Sequence, residues 1–396
     1  MLTIDGRRYD TGEPVRVVTR GPRIASVQPA WPQSDCADWP LLAPGLFDVQ
    51  INGHGGVWFS DEALTPPRAA EAIRAYLRFG VTRLCPTLIT NSFEGLAQGL
   101  RAIRAACEQD ALVDHMVAAC HLEGPYISAE DGPRGAHPRE YVRPPDWDEF
   151  RKLQDISGGR VRLLTLAPET PGAIDFIRQA AAAGVVIAIG HTAATPEQIQ
   201  AAVDAGARLS THLGNGAHAL VHRHRNSIWE QAAEPRLMAS LIVDGHHLPA
   251  SLVRAFVRLK TPRNVLLTCD AAGWAGCRPG LYENKLGKSE LLENGKLVVA
   301  GQRELLAGSA YETDVCVAKV REFAGVSWRD AIHMASKQPA QLLGCEFPRL
   351  RRGGLADLFV FRHEPAAERL NVLATIVRGE LVYGALPRPA CLAGSL

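Results

Sequence analysis

The sequence predicts an α/β fold: a (β/α)8 barrel with a small β-sandwich domain formed from both chain ends. Three observations lead there. Through the middle of the chain, short apolar stretches alternate with amphipathic helical ones. The two ends read as β-hairpins broken by glycine and proline. Polar residues then fall at the C-terminal ends of the apolar stretches, the rim where this fold keeps its chemistry.

The chain has 396 residues, 46% of them hydrophobic, which is enough for a large core plus a smaller second unit. A formal net charge of +1 gives no basic field for nucleic acid. The start, MLTIDGRRYD, lacks a basic-then-apolar leader, and no run of 18 apolar residues occurs. The expectation is a cytoplasmic protein with no membrane partner. Nine cysteines with no C-x-x-C pair suit reduced thiols that fill cores.

In chain order, GEPVRVVTRGPRIASVQPA supplies the first hairpins, and ADLFVF with LATIVRGELVYG supplies the last. Residues 1–45 and 346–396 are therefore assigned to the small domain and 46–345 to the barrel. Its strands are expected at 46–52, 82–90, 116–124, 161–169, 185–192, 208–215, 238–245 and 265–272. Helical patterns such as PRAAEAIRAYLRFG, AIDFIRQAAAAG and PEQIQAAVDAG lie between them and close on glycine, as helix C-caps do. Near-continuous apolar strands indicate a parallel sheet covered by helices. The first strand is not followed by a G-x-G-x-x-G turn, which weighs against an open dinucleotide-binding sheet.

The first strand, in DVQINGHGG, alternates polar and apolar residues, so Asp48, Gln50 and Asn52 should share a face. Metal hydrolases often carry two histidines one residue apart here; this chain has Gln50 and Asn52, with His54 beyond. Elsewhere the strand ends carry Glu123 (HLEGP), His191 (IGHT), His212 (STHLGN) and Asp270 (LTCDAA). A lone strand-end histidine is usually structural, but the four together would converge on one rim. Two neutral imidazoles and a carboxylate suit Zn²⁺ or Fe²⁺ with a position left open. An aspartate beside them can move a proton between water and a leaving group.

The stretches APGLFDVQINGHGG, HLEGPYIS, GAHP, GHTAAT, STHLGN, DGHHL, CDAA and LAGSA together resemble the amidohydrolase superfamily. Within it they resemble the deacetylases of N-acetylated amino sugar phosphates, over nearly the whole chain. The resemblance implies hydrolysis of N-acetylglucosamine 6-phosphate to glucosamine 6-phosphate and acetate. It implies one divalent metal per subunit, zinc first and iron as the alternative, held by Glu123, His191 and His212. It makes Asp270 the general base and acid, and His247 of DGHHL the group that polarises the amide carbonyl. It gives His137 of GAHP a sugar contact, and Asn215 with the amides of Gly216 and Ala217 a phosphate contact. Arg223, in a basic cluster opening a helix, would reach the phosphate from the neighbouring subunit of a homodimer.

Two segments depart from the family. Asn215-Gly216-Ala217-His218 replaces an asparagine-alanine-methionine run, and Cys269 replaces a threonine before Asp270. Both lie near the expected substrate, so the reaction type is firmer than the substrate. A non-phosphorylated N-acyl amino sugar, an N-acyl amino acid or a cyclic amide is the alternative; an inactive barrel scaffold is the second. Cys269 has no partner pattern for a nucleophile and reads as a buried barrel cysteine. With Gln50 and Asn52 lining the first strand, one metal rather than two is expected, and His54 is the residue that could add a second.

Overall fold

Eight parallel strands build the sheet expected of the chain's middle. They are β1 (Leu46–Ile51), β2 (Val81–Ile89), β3 (Cys120–Glu123), β4 (Val161–Leu166), β5 (Val186–Ile189), β6 (Ala207–Ser210), β7 (Met238–Ile242) and β8 (Val265–Thr268). Each overlaps a stretch read from the sequence, with β2 and β6 starting one residue earlier than expected, and neighbours pair in sequence order from β1 to β8. The structure is a computed structural model that describes residues 1–30 and 39–387.

The barrel closes where β8 returns to β1. Asp270 N donates to Gln50 O at 3.1 Å, and Asn52 N donates to Ala271 O at 2.8 Å. The buried Asp48 carboxylate fastens this seam: it accepts from Thr268 Oγ1, from Cys269 N at 2.9 Å and from Thr313 Oγ1 at 2.7 Å. Strict alternation would have put Asp48 beside Gln50 and Asn52. The pairing of β1 with β2 instead slips register between Asp48 and Ile51. That slip sends Asp48 to the seam and leaves Gln50 and Asn52 at the barrel mouth.

Inside the barrel, Phe47, Val49, Leu163, Ala188, Leu209 and Leu266 pack in layers. Outside it, helices such as Ala173–Ala182 and Pro196–Ala205 lay apolar faces on the strands, the second capped by a reciprocal Thr195–Gln198 pair. The stretch PRAAEAIRAYLRFG forms a helix over Pro66–Ala75 and one 3₁₀ turn, ended by Gly80 at φ +77°. A Cβ at Gly80 would lie 2.7 Å from the Phe359 ring, so both conformation and packing demand glycine.

The chain ends share one seven-stranded sheet. Leu358–Arg362 lies antiparallel to Leu41–Pro44, which joins the C-terminal strands to Thr3–Arg8, Pro14–Arg20 and Arg23–Pro29. Ile4, Val17, Leu42, Val360 and Ile376 form its own core, while Phe359 and Phe361 face the barrel cluster. The seven described cysteines are all free; Cys36 and Cys391 lie outside the described residues. No helix among the described residues is long and apolar enough to cross a membrane.

One element was not foreseen. Between β8 and the helix Thr313–Ala324, the strands Gly280–Asn284, Gly287–Leu291, Leu297–Val299 and Gln302–Leu306 form a four-stranded antiparallel sheet. It packs through Leu291 and Leu297 against Trp58 and Ala272. The sequence does carry a hairpin signal here, the Asn294-Gly295 pair between LL and KLVV. The sheet hangs over the barrel mouth and lines the cavity there with Leu286, Lys288 and Leu305.

Candidate metal centre and active site

Three of the polar strand-end residues share an unusual backbone. His191, His212 and Asp270 each stand two residues past the end of a strand, at φ +51°, +31° and +52°. Non-glycine residues enter this left-handed region at a cost, and such strain gathers at functional sites. Glu123 is the last residue of β3 itself, and Gly124 behind it has φ +81°.

The side chains converge. Glu123 Oε1 lies 3.1 Å from His191 Nε2 and 2.9 Å from His212 Nε2, and those two nitrogens are 3.1 Å apart. All three residues are buried, and their ligand atoms lie within 4.8 Å of one another, the one such group among the described residues. Pro133 O, 2.9 Å away, accepts from His191 Nδ1, which leaves the Nε2 lone pair turned into the cluster. Two imidazole lone pairs and a carboxylate oxygen pointed at one volume repel each other unless a cation sits between them. The donor set fits a divalent metal with an open coordination position.

Gln50 and Asn52 stand where paired histidines would be, and they hold the carboxylates instead. Gln50 Nε2 donates to Glu123 Oε1 at 2.7 Å and to Asp270 Oδ1 at 3.0 Å. Asn52 Nδ2 donates to Asp270 Oδ1 at 2.7 Å. Burial and the nearby Glu123 charge push the Asp270 carboxyl up to about 7, against His247 and the Asn52 amide. His54 turns away: its Nε2 meets Glu312 Oε1 at 3.1 Å, and among the described residues it joins no group of metal-ligand atoms.

His247 lines the same cavity and is fixed by Asp244, whose Oδ2 lies 2.8 Å from His247 Nδ1. His137 is buried against the cluster, its ring 4.2 Å from that of His191 and its Nδ1 2.8 Å from Thr90 Oγ1. Burial lowers its pKa to about 3, so the ring is neutral. Cys269 is fully buried and its thiol is pushed well above the usual range by that burial, which fits a core cysteine.

The cavity over these residues measures about 600 Å³, room for a hexose phosphate. Asn215, Gly216 and Ala217 line it, with Asn215 Nδ2 folded back onto His212 O at 3.1 Å. Arg223 does not line it: within one chain it is exposed, and its carbonyl accepts from Trp229 Nε1 at 3.2 Å. The helix it precedes is short, Ser227–Ala233, and Asn226 Oδ1 already caps the amides of Ile228 and Trp229. Those amides are therefore not free for an anion.

Sequence reading missed Asp244, Thr90 and Ser309, which orient His247 and His137. Asp244 carried a signal, a carboxylate three residues before His247 in DGHHL. Thr90 carried none, and Ser309 only its place in LAGSA, since only the fold brings them near their partners.

Residues 41–382 match the Amidohydrolase family. The chain belongs to that family. This amidohydrolase is 34% identical to the N-acetylglucosamine-6-phosphate deacetylase of Bos taurus, over 89% of the chain and 85% of the relative. It is 33% identical to the N-acetylgalactosamine-6-phosphate deacetylase of Escherichia coli O157:H7, over 82% and 83%. Among solved structures it is similar to a Mycobacterium smegmatis N-acetyl-D-glucosamine-6-phosphate deacetylase, an aspartate-to-alanine variant in complex with N-acetyl-D-glucosamine-6-phosphate. There the TM-score is 0.85 at 28% identity, covering 96% of this chain and all of that one. The amidohydrolase is thus an enzyme that hydrolyses carbon–nitrogen bonds.

Proposed function

We propose that this enzyme removes the acetyl group from an N-acetylhexosamine 6-phosphate, with N-acetylglucosamine 6-phosphate as first substrate. The observation that carries the reading is the convergence of Glu123, His191, His212, Asp270 and His247 on one hexose-sized cavity. The relatives' names supply the substrate class. Because gluco and galacto deacetylases are almost equally similar to the chain, the epimer is the finer part of the proposal.

Glu123, His191 and His212 would hold one divalent ion, zinc first and iron as the alternative, which supplies Lewis acidity toward the amide and toward water. A second ion has no obvious seat, because Gln50 and Asn52 offer N–H groups to carboxylates and His54 is paired with Glu312. Asp270 takes a proton from the attacking water and returns it to the departing nitrogen. A carboxyl held up to about 7 is matched to both tasks near neutral pH. Gln50 and Asn52 keep it aimed. His247 faces the carbonyl oxygen as it gains charge. The inserted sheet roofs the cavity and limits water. Asn215, Gly216 and Ala217 receive the phosphate end, and Arg223 of a second subunit completes it in a cytoplasmic homodimer.

The test is an acetate-release panel of 6-phosphorylated and free N-acetylglucosamine and N-acetylgalactosamine, with metal content measured on the same protein. Phosphorylated sugars should be favoured, with one metal per chain. Equal kcat/KM for free and phosphorylated sugars would remove the phosphate from the proposal. Two metals per chain would overturn the single-ion site.

A further inference from the structure

His247 can stabilise a developing oxyanion only if an N–H faces it. Its Nδ1 is engaged by Asp244 at 2.8 Å, which leaves Nε2 for the cavity. A neutral imidazole has one N–H. Spent on Asp244, it would leave a lone pair on Nε2, facing the electron-rich carbonyl oxygen and repelling it. The donor role therefore needs a second proton on the ring.

The surroundings of Asp244 supply the reason for that proton. Its Oδ1 accepts from the backbone N–H of His246 at 2.8 Å and of His247 at 3.0 Å. Its Oδ2 accepts from Ser309 Oγ at 2.8 Å as well as from His247 Nδ1. Four donors occupy the four lone-pair positions of a carboxylate, so no acid proton fits and Asp244 is ionised. It is also buried, which leaves its charge unscreened by water.

We propose that Asp244 is a positioning residue that holds His247 as an imidazolium, so that Nε2–H donates to the amide oxygen as the tetrahedral adduct forms. This rests on the reading of His247 as the carbonyl-polarising group and adds its charge state and the residues that set it. Asp244 is the charged group in hydrogen-bond contact with His247, and Asp270, His212 and Lys296 act on the ring through space. Both aspartates favour the cation, and Lys296, His212 and a bound metal oppose it. Although burial lowers the ring's pKa, the Asp244 charge and hydrogen bond outweigh it and raise the value overall. The sign follows: the cation is present at low pH and lost as pH rises through that raised value. Ser309, on the segment bridging Ala271, ties the pair to the catalytic end of β8.

The experiment compares wild-type and Asp244→Asn enzyme loaded with zinc. The variant should lose about 100-fold or more in kcat with little change in KM. Its high-pH limb should move down by about one pH unit or more, since one unit reflects one such lost charge interaction. A variant with wild-type kcat, or a limb that stays put, overturns the proposal. Nitrogen NMR of the wild-type holoenzyme gives a reading independent of turnover and of the variant's folding. Two protonated ring nitrogens on His247 near neutral pH support it, and a single proton on Nδ1 overturns it. A wild-type enzyme that releases no acetate would sink the proposed function, while the NMR result would still decide the ring's charge.

Discussion

At the residue scale the decisive group is Asp270. Its side chain touches Gln50 and Asn52 but none of the three candidate metal ligands by hydrogen bond, so it can change without dismantling the cluster. Asp270→Asn should therefore keep fold and metal while losing about 10²- to 10⁴-fold in kcat, the span typical of a lost general base. Circular dichroism, metal analysis and acetate release check this together. The same carboxyl sets the acid limb of activity. A base works only when deprotonated, and burial with the Glu123 charge holds this one near 7 without a cation. A bound divalent ion draws it lower, so kcat/KM should fall as pH drops through a value below 7, with a slope of one proton. A flat profile down to pH 5 would remove Asp270 from the base role. These chemistry-bearing residues were legible because each ends an apolar strand within a recognisable short motif. Asp244 was half legible, and Ser309 was not, because its bond to Asp244 spans 65 residues and exists only after folding.

At the element scale the barrel was legible from its alternation, while two features were not. The register slip in β1 cannot be read from polarity alone, since Asp48 and Gln50 are both polar and both buried. What separates them is the partner each finds: Thr268 Oγ1 and Cys269 N of the β8 side with Thr313 Oγ1 of the later helix for Asp48, the site carboxylates for Gln50. Asp48→Ala would take the acceptor from Cys269 N and Thr313 Oγ1, while Thr268 Oγ1 keeps Gln50 O at 3.2 Å. Unsatisfied buried donors at this closure should lower unfolding free energy by about 2–4 kcal/mol, measured by urea titration. Because the seam also carries Asp270, activity should fall before global unfolding does. Wild-type stability in this variant would mean that backbone pairing alone closes the barrel. The inserted sheet went unseen for another reason: its strands are short and largely exposed, so they lack the apolar periodicity that revealed the barrel.

At the scale of the whole molecule, the proposed metal and the proposed second subunit belong to one argument about completeness. A ligand that binds only the folded chain stabilises it by RT ln(1 + [L]/Kd), about 2.7 kcal/mol at a hundredfold excess over Kd. Chelation should thus lower the melting temperature as well as abolish turnover, and zinc should restore both. Loss of activity with an unchanged melting temperature would mean that the ion is not held by the folded cluster. The proposed phosphate end is incomplete within one chain in a different way. Within one chain Arg223 lies outside the cavity, yet the adjoining Leu220 is 93% exposed, and Val221 and Trp229 are exposed beside it. Apolar side chains presented this way fit a surface covered by another copy. If that copy brings Arg223 to the phosphate, Arg223→Ala should raise KM for the phosphorylated sugar about 10-fold or more, as expected for a lost charge-assisted bond. It should leave kcat/KM for the unphosphorylated sugar unchanged. Leu220→Asp should mimic that loss while shifting the protein to monomer in sedimentation. If Arg223→Ala affected both sugars alike, or Leu220→Asp left the dimer and KM intact, the arginine would have no part in binding phosphate across an interface.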